Sequence, residues 1–299
     1  MISIVLPTYN RAHVLGRAVD SVLAQTYSEW ELIIVDNHSS DQTDHLIENY
    51  HNSKIKLYKI NNEGIIAKSR NLGILHAQGE FVAFLDSDDW WCPRKLELSL
   101  KHLQSFNADI VYHDLYQVKP KKQKLFLKKI KTRNLISPVF KDLLQNGNAI
   151  ANSSVVVRKQ LLEKIGLISE EQKKVTWEDY DTWLRLAKIT EDFKRIPQTL
   201  GYYWSGNENL LDYDQSLQNN RSFSYFYNLR NLNNNIKVWW LYYSSGCVHY
   251  CKGEYSKAYD NFRRMPVSPF EHQLKKYYMM FICCVRLKLK SNFFQKCDD

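Results

Sequence analysis

The sequence predicts an α/β protein with a mostly parallel sheet flanked by helices, followed by a helical C-terminal extension. Short apolar runs rich in β-branched residues alternate with helical patterns four times within about the first ninety residues. This alternation is typical of parallel sheets that carry helices on both faces. From about Gly206 the composition changes to Asn, Tyr, Trp and Lys, with few strand signals. We therefore predict one domain over residues 1–205 and a helical region over residues 206–299.

Each element of the first domain follows from its pattern of apolar residues. Short apolar runs bounded by turn residues predict strands at Ile2–Leu6, Glu31–Val35, Ile55–Ile60, Phe81–Leu85, Ile110–Tyr112 and Asn152–Val157. Apolar residues at helical spacing predict helices at His13–Ala24, through Leu46 and Ile47, and at Ala67–Ala77, Leu96–Leu103 and Thr176–Lys188. In the C-terminal region Gly246, Tyr255, Ala258 and Phe262 have part of the tetratricopeptide spacing, which predicts a single helical hairpin.

The formal net charge of +9 is concentrated in two segments. Residues 119–133 hold eight Lys or Arg and no acid, and residues 275–290 hold five and no acid, so the remainder is mildly acidic. A basic protein suggests nucleic-acid binding. However, the sequence has no RNP, zinc-finger or helix-turn-helix pattern. Our main interpretation therefore has no nucleic-acid partner. A basic nucleic-acid-binding protein is kept as an alternative function.

Composition excludes several classes of protein. Hydrophobic residues make up 44% and aromatic residues 13% of the chain, which excludes a disordered protein. The N-terminus, MISIVLPTYN, has no charged leader or small-residue cleavage site, so we expect no secretory signal. The longest apolar run, Tyr277–Val285, has about half of the ~20 residues that span a bilayer. The six cysteines fit no metal-ligand spacing. We therefore expect a cytoplasmic protein with reduced thiols.

Polar residues follow the predicted strands. Thr8, Asp36, Asn62 and Asp86 all fall at or near the carboxyl ends of strands. Ligands of parallel α/β sheets bind beyond these ends. The sequence therefore predicts a ligand site along this edge of the sheet.

Asp86-Ser87-Asp88 is the strongest local motif. Two carboxylates one residue apart on a turn can hold a hard divalent cation, which in turn binds a diphosphate. An isolated triplet of this kind is more often a solvated turn. The buried strand before it and the other polar strand ends favour the metal interpretation.

Two further strand ends carry candidate ligand-binding groups. Asp36 can accept a hydrogen bond from a nucleobase, or it can simply open the turn to the next helix. Asn62 begins a segment whose glycine at position 64 allows close backbone approach. Arg70, in the helix that follows, can reach a base or a phosphate.

The segment Trp177-Glu178-Asp179 is the candidate for proton transfer. A carboxylate at the start of a helix can take a proton from a sugar hydroxyl. As an alternative, Thr176 and Asp179 have the spacing of a capping box, in which Asp179 serves only the helix terminus. Trp177 can stack on a sugar face or pack in the core.

Four segments together resemble glycosyltransferase family 2, the inverting enzymes of the GT-A fold. They are VLPTYNRAHVLGRAVDSVLAQTY, LIIVDNHSSDQT, NNEGIIAKSRNLGILHAQGEFVAFLDSDD and WEDYDTWLRL, and they cover roughly residues 2–205 in the family's order. The resemblance implies a nucleotide-sugar donor, most often UDP-linked, and a Mn²⁺ or Mg²⁺ cofactor. It also implies transfer to a glycan hydroxyl by one displacement, which gives a β-linkage from an α-linked donor.

The resemblance also implies roles for individual residues. In this sequence the residues that would line the nucleotide pocket are Pro7, Thr8 and Tyr9, and Asp36 and Arg70 would hold the uracil. Asp86 and Asp88 would be the metal-binding pair, with Asp88 the direct ligand. Asp179 would be the catalytic base, and Glu178 would position the acceptor.

The match has two departures. Asn37-His38 stands where the family commonly has Asp-Gly, and Gly201-Tyr202-Tyr203-Trp204 stands where a family member often has an Arg or His over the donor phosphates. Arg185 or a lysine of residues 119–133 is the candidate to complete the pyrophosphate site.

The acceptor is inferred from the basic segments. Residues 275–290 combine aromatics, Met and cations, which suits a helix lying in the bilayer interface, although a core-packing helix fits equally well. The lysine-rich segment, with Leu125–Leu127 in its middle, can approach the same anionic surface. A membrane surface predicts a lipid-linked saccharide acceptor, used in surface polysaccharide assembly at the inner face of the cytoplasmic membrane. The enzymatic alternative is a sugar-phosphate nucleotidyltransferase, and a third alternative is an inactive scaffold.

Overall fold

The computed structural model describes residues 1–119, 128–171, 177–206 and 238–295. The described strands are β1 (Ile2–Thr8), β2 (Trp30–Asp36), β3 (Ile55–Lys59), β4 (Phe81–Phe84), β5 (Trp90–Trp91), β6 (Ile110–Val118), β7 (Lys128–Ile130), β8 (Val156–Arg158) and β9 (Phe193–Trp204). The described helices are α1 (Ala12–Leu23), α2 (Thr43–Glu48), α3 (Ile66–His76), α4 (Lys95–Ser105), α5 (Val139–Asn146), α6 (Lys159–Lys164), α7 (Glu178–Leu186), α8 (Trp239–Cys251), α9 (Tyr255–Arg264) and α10 (Phe270–Gln295).

The chain divides into two compact units. The first holds Met1–Phe140 and continues from Asn148 through β9, and the second holds Lys141–Gly147 and the C-terminal helices. The sequence-based division into residues 1–205 and 206–299 stays a prediction, and residues 207–237 lie outside the described residues.

The first unit is built on one mixed sheet. Its strand order is β3-β2-β1-β4-β8-β6-β9-β5, with β7 paired to β6. The four strands at the β3 side run parallel, and β8 joins β4 and β6 antiparallel. The long strands β6 and β9 are parallel to each other. The predicted α/β class, a mostly parallel sheet flanked by helices with a helical C-terminal extension, is confirmed.

The central strands form the core of this unit. Every residue of β1 and of β2 is buried, as expected for strands covered on both faces. Helix α1 contributes Leu15, Ala18, Val19 and Val22 to the same core. Because these strands are rigid and enclosed, the polar residues at their carboxyl ends are held at fixed positions along one edge.

One predicted strand needs correction, and other elements were not predicted at all. The segment predicted as a strand at Asn152–Val157 begins with a 3-10 turn, Asn152–Ser154, and pairs as a strand only from Val156. The Ser154 hydroxyl donates to the Ala151 carbonyl at 2.6 Å, which favours a turn over an extended chain. Strands β5 and β9 were not predicted, although β9 is twelve residues long.

The lysine-rich segment is partly described. Its flanks, β6 and β7, pair antiparallel, and Lys129 lies 5.2 Å from the ring centre of Tyr116. Leu125–Leu127 lie outside the described residues.

The second unit contains the predicted helical hairpin. Gly246 of α8 lies against Phe262 of α9, and a Cβ at position 246 would be 2.6 Å from the Phe262 ring. Ala258, Phe262 and Cys283 are buried together, so α10 packs on the hairpin as well. Within residues 1–119, 128–171, 177–206 and 238–295, no helix is long and apolar enough to cross a membrane. The cysteines of these ranges are free.

Candidate active site

The carboxyl ends of β1 and β2 form a network around a buried carboxylate. Thr8 and Asp36 are paired residues of the two strands, and Asp36 is fully buried. Its carboxylate accepts hydrogen bonds from the Ser39 amide at 3.0 Å, from the Ser39 hydroxyl, and from Lys59 Nζ at 2.7 Å. Asp36 therefore opens the turn that follows β2, which was the alternative interpretation of this residue. Its carboxylate is held by these hydrogen bonds at the carboxyl end of β2.

Asn62 joins this network from the end of β3. Its backbone N–H donates to Asn37 Oδ1 at 2.8 Å, and its side-chain Nδ2 donates to the Ser69 hydroxyl at 2.9 Å. Pro7 is buried in β1, whereas Tyr9 is 54% exposed. An exposed aromatic ring beside this polar network can stack on a nucleobase.

Arg70 bridges two carboxylates from distant parts of the chain. Nη1 donates to Glu178 Oε1 at 2.6 Å, and Nη2 donates to Asp86 Oδ1 at 2.7 Å. Burial alone would lower the pKa of Arg70, but the two carboxylates raise it above its ordinary value. The structure thus brings Arg70 to Asp86 and Glu178, whereas the described partners of Asp36 are Ser39 and Lys59. Arg70 ties the β4 end to the start of α7.

The Asp86–Asp88 turn after β4 is bonded to the 3-10 turn Asn152–Ser154, which lies where the sequence predicted the start of a strand. Asn152 donates to Asp86 Oδ1 at 3.1 Å, and the Asp86 amide donates to the Ser153 hydroxyl at 3.2 Å. Ser87 lies half-buried in this turn. Burial, followed by the charge of Asp86, raises the pKa of Asp88 to about 6. Burial and a neighbouring carboxylate thus both disfavour the charged form of Asp88.

A third carboxylate, which the sequence analysis did not single out, supports the same turn. Asp89 is buried and accepts from the Trp204 amide at 2.9 Å. Burial and the charges of Asp86 and Asp88 raise its pKa well above the ordinary value. The only sequence signal was its place next to the Asp-Ser-Asp motif.

Arg17 is a second group that the sequence analysis missed. Its guanidinium lies 3.7 Å from the ring centre of Trp90 and 4.6 Å from that of Trp204, and it donates to the Asp88 carbonyl at 2.8 Å. The charges of Arg11 and Arg17 both oppose the rise in the pKa of Asp88. Arg11, which precedes α1, and Arg17 within α1 thus place positive charge near Asp88, whereas Arg70 bonds to Asp86.

The carboxyl end of β9 faces the same carboxylates. Burial raises the pKa of Tyr203 to about 12, and the charges of Asp89, Asp86, Asp88 and Asp179 add to the rise. The Gly201–Trp204 stretch, noted as a departure from the family pattern, therefore supplies a phenol and an indole to the site.

Helix α7 presents the candidate base in its first turn. Its N-cap residue is Trp177, which makes no side-chain capping bond, and Thr176 lies outside the described residues. Asp179 is half-buried and accepts from Asn148 Nδ2 at 3.2 Å and from the Tyr180 amide at 2.6 Å. Burial and then the charge of Glu178 raise the pKa of Asp179 to about 7. Such a value suits a general base at neutral pH.

The remaining predicted residues lie around α7. One carboxylate oxygen of Glu178, Oε2, is buried without a hydrogen-bond partner among the described residues. The half-buried Trp177 ring lies 6.2 Å from that of Tyr180. Arg185 is bonded to other groups: it donates to Asp181 Oδ2 at 2.8 Å and to the Ile165 carbonyl at 2.8 Å. Arg185 thus has a structural role in this conformation.

A sequence profile decides the family. The profile described as glycosyl transferase family 2 matches residues 3–166, which is more than half of the chain. The chain belongs to glycosyl transferase family 2. The resemblance stated from the four segments is confirmed.

Curated relatives cover the same part of this family 2 chain. It is 38% identical over 112 residues to the Escherichia coli UDP-Glc:alpha-D-GlcNAc-diphosphoundecaprenol beta-1,3-glucosyltransferase WfgD, a match that spans 38% of this chain and 44% of WfgD. It is 33% identical over 212 residues to an uncharacterised glycosyltransferase of Nostoc, spanning 68% of this chain and 64% of the relative. The chain therefore matches about half to two thirds of the length of these relatives.

Solved structures share the GT-A fold. The complex of S. aureus TarS 1–349 with UDP-GlcNAc has a TM-score of 0.60 at 18% identity and covers 89% of this chain and 81% of that chain. The complex of the same protein with UDP has a TM-score of 0.57 at 20% identity.

The donor set of the Asp86–Asp88 turn fits one mode of divalent-cation binding. Among the described residues no group of three or more His, Cys, Asp or Glu forms a metal cage. Mg²⁺ is commonly held by one or two carboxylates together with substrate phosphates. Asp88 and Asp86 supply two carboxylates, and burial, followed by the charge of Asp86, raises the pKa of Asp88, so a bound cation would favour its charged form. These residues therefore fit a cation that arrives with a diphosphate.

Proposed function

We propose that this family 2 chain transfers a sugar from a UDP-sugar to a hydroxyl group of a glycan acceptor, with inversion at the anomeric carbon. The observation that carries the proposal is the first turn of α7. Asp179, with a pKa near 7, stands beside the Arg70 bridge that joins Glu178 to Asp86. The candidate base thus follows Glu178 directly in the chain, and Arg70 bonds Glu178 to the candidate diphosphate site.

The proposed step is a single displacement. Asp179 takes the proton of the acceptor hydroxyl while that oxygen attacks the anomeric carbon. The bond between this carbon and the diphosphate oxygen breaks, and UDP leaves with the electron pair. An α-linked donor gives a β-linked product because attack comes from the face opposite the leaving group.

The protein assists departure of UDP through fixed charges. Arg11 and Arg17 place positive charge at the Asp88 side of the turn. When bound by Asp88 and Asp86, Mn²⁺ or Mg²⁺ supplies further positive charge to the diphosphate. Pro7, Thr8 and Tyr9 line the proposed nucleotide pocket with Asp36, where preformed hydrogen bonds limit reorganisation on binding.

The proposed acceptor is a lipid-linked saccharide of surface polysaccharide assembly. The name of WfgD specifies a glucosyl donor and a diphosphoundecaprenol-linked acceptor. A lipid-linked acceptor also suits the apolar and basic C-terminal segment, since such a composition is typical of segments that contact an anionic membrane surface. We accordingly propose peripheral association with the inner face of the cytoplasmic membrane.

A donor and acceptor screen tests this function. The full chain is incubated with UDP-sugars and with lipid-diphosphate-linked monosaccharides, with and without Mn²⁺ or Mg²⁺, and UDP release is measured. We expect that turnover with a UDP-sugar requires the cation. NMR of the product should show a β-linkage when the donor is α-linked. Asp88→Asn should lower turnover at least about a hundredfold, because it removes the proposed metal ligand. A product that keeps the α configuration would contradict the inverting step.

A further inference from the structure

Helix α10 has two apolar faces, and among the residues that the structure describes only one of them is packed against other side chains. Cys283 on the first face is fully buried against Ala258 and Phe262, with Met279 and Met280 beside it. Lys276 on this side donates to the Met265 carbonyl at 2.8 Å. This face accounts for how the helix is held in the second unit.

The second face of α10 is large, apolar and exposed. Its residues recur at intervals of three or four, which places them along one stripe of the helix. They are Phe270 (76% exposed), Leu274 (57%), Tyr277 (63%), Tyr278 (63%), Phe281 (67%) and Val285 (40%). From Phe270 to Val285 the stripe runs about 22 Å at 1.5 Å per residue. A solvent-facing helix surface normally carries polar residues here.

Cations flank this stripe. Helix α10 contains five Lys or Arg and one acid, Glu271, which lies in its first turn. Lys275 and Arg286 are exposed on the helix, and Arg263 and Arg264 are exposed on α9. Aromatic residues between lysines and arginines are typical of helices that lie in the headgroup region of an anionic bilayer.

We infer that the Phe270–Val285 stripe is a docking surface for an anionic phospholipid bilayer, on which α10 lies parallel to the membrane plane. The aromatic side chains enter the headgroup boundary, and Lys275 and Arg286 meet lipid phosphates. This assignment extends the membrane-facing segment N-terminally to Phe270. It does not depend on the proposed transfer reaction, because binding can be measured without turnover.

The charge pattern favours a bilayer over a second copy of the chain. A second copy docked on the stripe would bring its own Lys275 and Arg286 to the interface, and like charges repel. An anionic lipid surface offers the complementary charge along the whole helix.

Vesicle co-sedimentation of the full chain tests this surface. Vesicles of phosphatidylcholine alone are compared with vesicles that also contain phosphatidylglycerol, at low and at high salt. The stripe variant is Tyr277→Ser with Phe281→Ser. Its matched control is Leu75→Ser with Phe106→Ser, two side chains that are 65% and 57% exposed in the first unit. Circular dichroism checks that each variant is folded.

The stripe predicts binding to the anionic vesicles that weakens at high salt. The Tyr277→Ser, Phe281→Ser variant should bind at least about tenfold more weakly, because two large apolar side chains no longer enter the interface. The control variant should bind like the parent chain.

A charge variant gives a second readout. Lys275→Glu with Arg286→Glu should weaken binding at least about tenfold, since each cation near an anionic surface contributes about 1 kcal/mol. Lys101→Glu with Lys164→Glu, on exposed residues of the first unit, should have little effect. Equal binding to both kinds of vesicle, or a stripe variant that binds like its control, would overturn the inference. If the parent chain forms a dimer and the stripe variant does not, the membrane inference is also overturned. The stripe would then be the interface with a second copy of the chain.

Discussion

Two buried cations of the first unit are stabilised to different degrees. Arg70 is bonded to two carboxylates, Asp86 and Glu178, so its charge is compensated. Lys95 is also fully buried, and its Nζ has the Val155 carbonyl at 3.5 Å and the centre of the Trp91 ring at 3.8 Å. Burial lowers the pKa of Lys95 well below the ordinary value. Burial, followed by the charge of Lys95, lowers the pKa of His113 to about 3.

Replacing Lys95 should therefore stabilise the fold. The folded state has the lower Lys95 pKa, so it binds fewer protons than the unfolded chain at this site, and the cost of burial grows as pH falls below about 10. We expect Lys95→Met to raise the free energy of unfolding by about 1 to 3 kcal/mol at pH 7. The gain should be larger at pH 6 than at pH 9, as measured by urea denaturation.

Lys101→Met on the same helix is the matched control for this experiment. Lys101 is exposed, so its removal should change stability by less than about 0.5 kcal/mol at either pH. A Lys95→Met protein less stable than the parent at both pH values would show that the buried ammonium is net stabilising.

At the scale of elements, apolar patterning was enough to predict the central strands β1 and β2 but not strand β9 on the other side of the sheet. Strands β1 and β2 are buried throughout, and their sequences are mostly apolar. Strand β9 contains Pro197 and Gly201, residues that usually mark turns. The register of β6 with β9 shifts between His113 and Asp114, which accommodates the proline at an irregularity. Local sequence cannot predict such tertiary compensation.

The same contrast holds for the candidate site. Strand ends were sufficient to select Asp36 and Asp86, because the edge of a parallel sheet follows from strand positions. Arg70 and Glu178 are separated by 108 residues, and their bond depends on how α3 and α7 approach the sheet. Asn148, which bonds to Asp179, has no motif of its own. These partners become visible only when the fold is known.

The α8–α9 hairpin depends on a close approach at one glycine. A Cβ at Gly246 would lie 2.6 Å from the Phe262 ring, so the side chain must be absent or the ring must move. We expect Gly246→Ala to destabilise the hairpin by about 1 to 3 kcal/mol, despite the better helix propensity of alanine. Thermal unfolding followed by circular dichroism measures the change. Ser245→Ala, one residue earlier, should be neutral or slightly stabilising, and equal effects of the two changes would argue against close packing.

For the whole molecule, the location of charge is more informative than the net value of +9. The candidate site gathers acids, and burial, followed by the charges of Asp86 and Glu178, raises the pKa values of Asp88 and Asp179. The described C-terminal unit instead carries cations beside an exposed apolar stripe. The acids are suited to cation binding and proton transfer, and the cations are suited to an anionic surface. Net charge alone would have suggested nucleic acid.

The raised pKa of Asp179 also links catalysis to stability. Because its folded pKa of about 7 exceeds the unfolded value, the folded chain binds more protons here, and this group costs stability as pH rises from about 4 to 7. Asp179→Asn removes that cost. The variant should therefore be more stable than the parent by on the order of 1 kcal/mol at pH 8, and by less at pH 5, in urea denaturation. A variant equally destabilised at both pH values would mean that the carboxylate is a structural cap.

The most direct test of the proposed function is the transfer rate of Asp179→Asn, measured with UDP affinity and across pH. In the parent chain, kcat/KM should rise with an apparent pKa near 7, as the base loses its proton. Asp179→Asn should abolish transfer while UDP binding stays nearly unchanged, and the exposed Asp192→Asn should behave like the parent. Turnover of Asp179→Asn within tenfold of the parent would contradict the role of Asp179 as the base and direct the same test to Glu178.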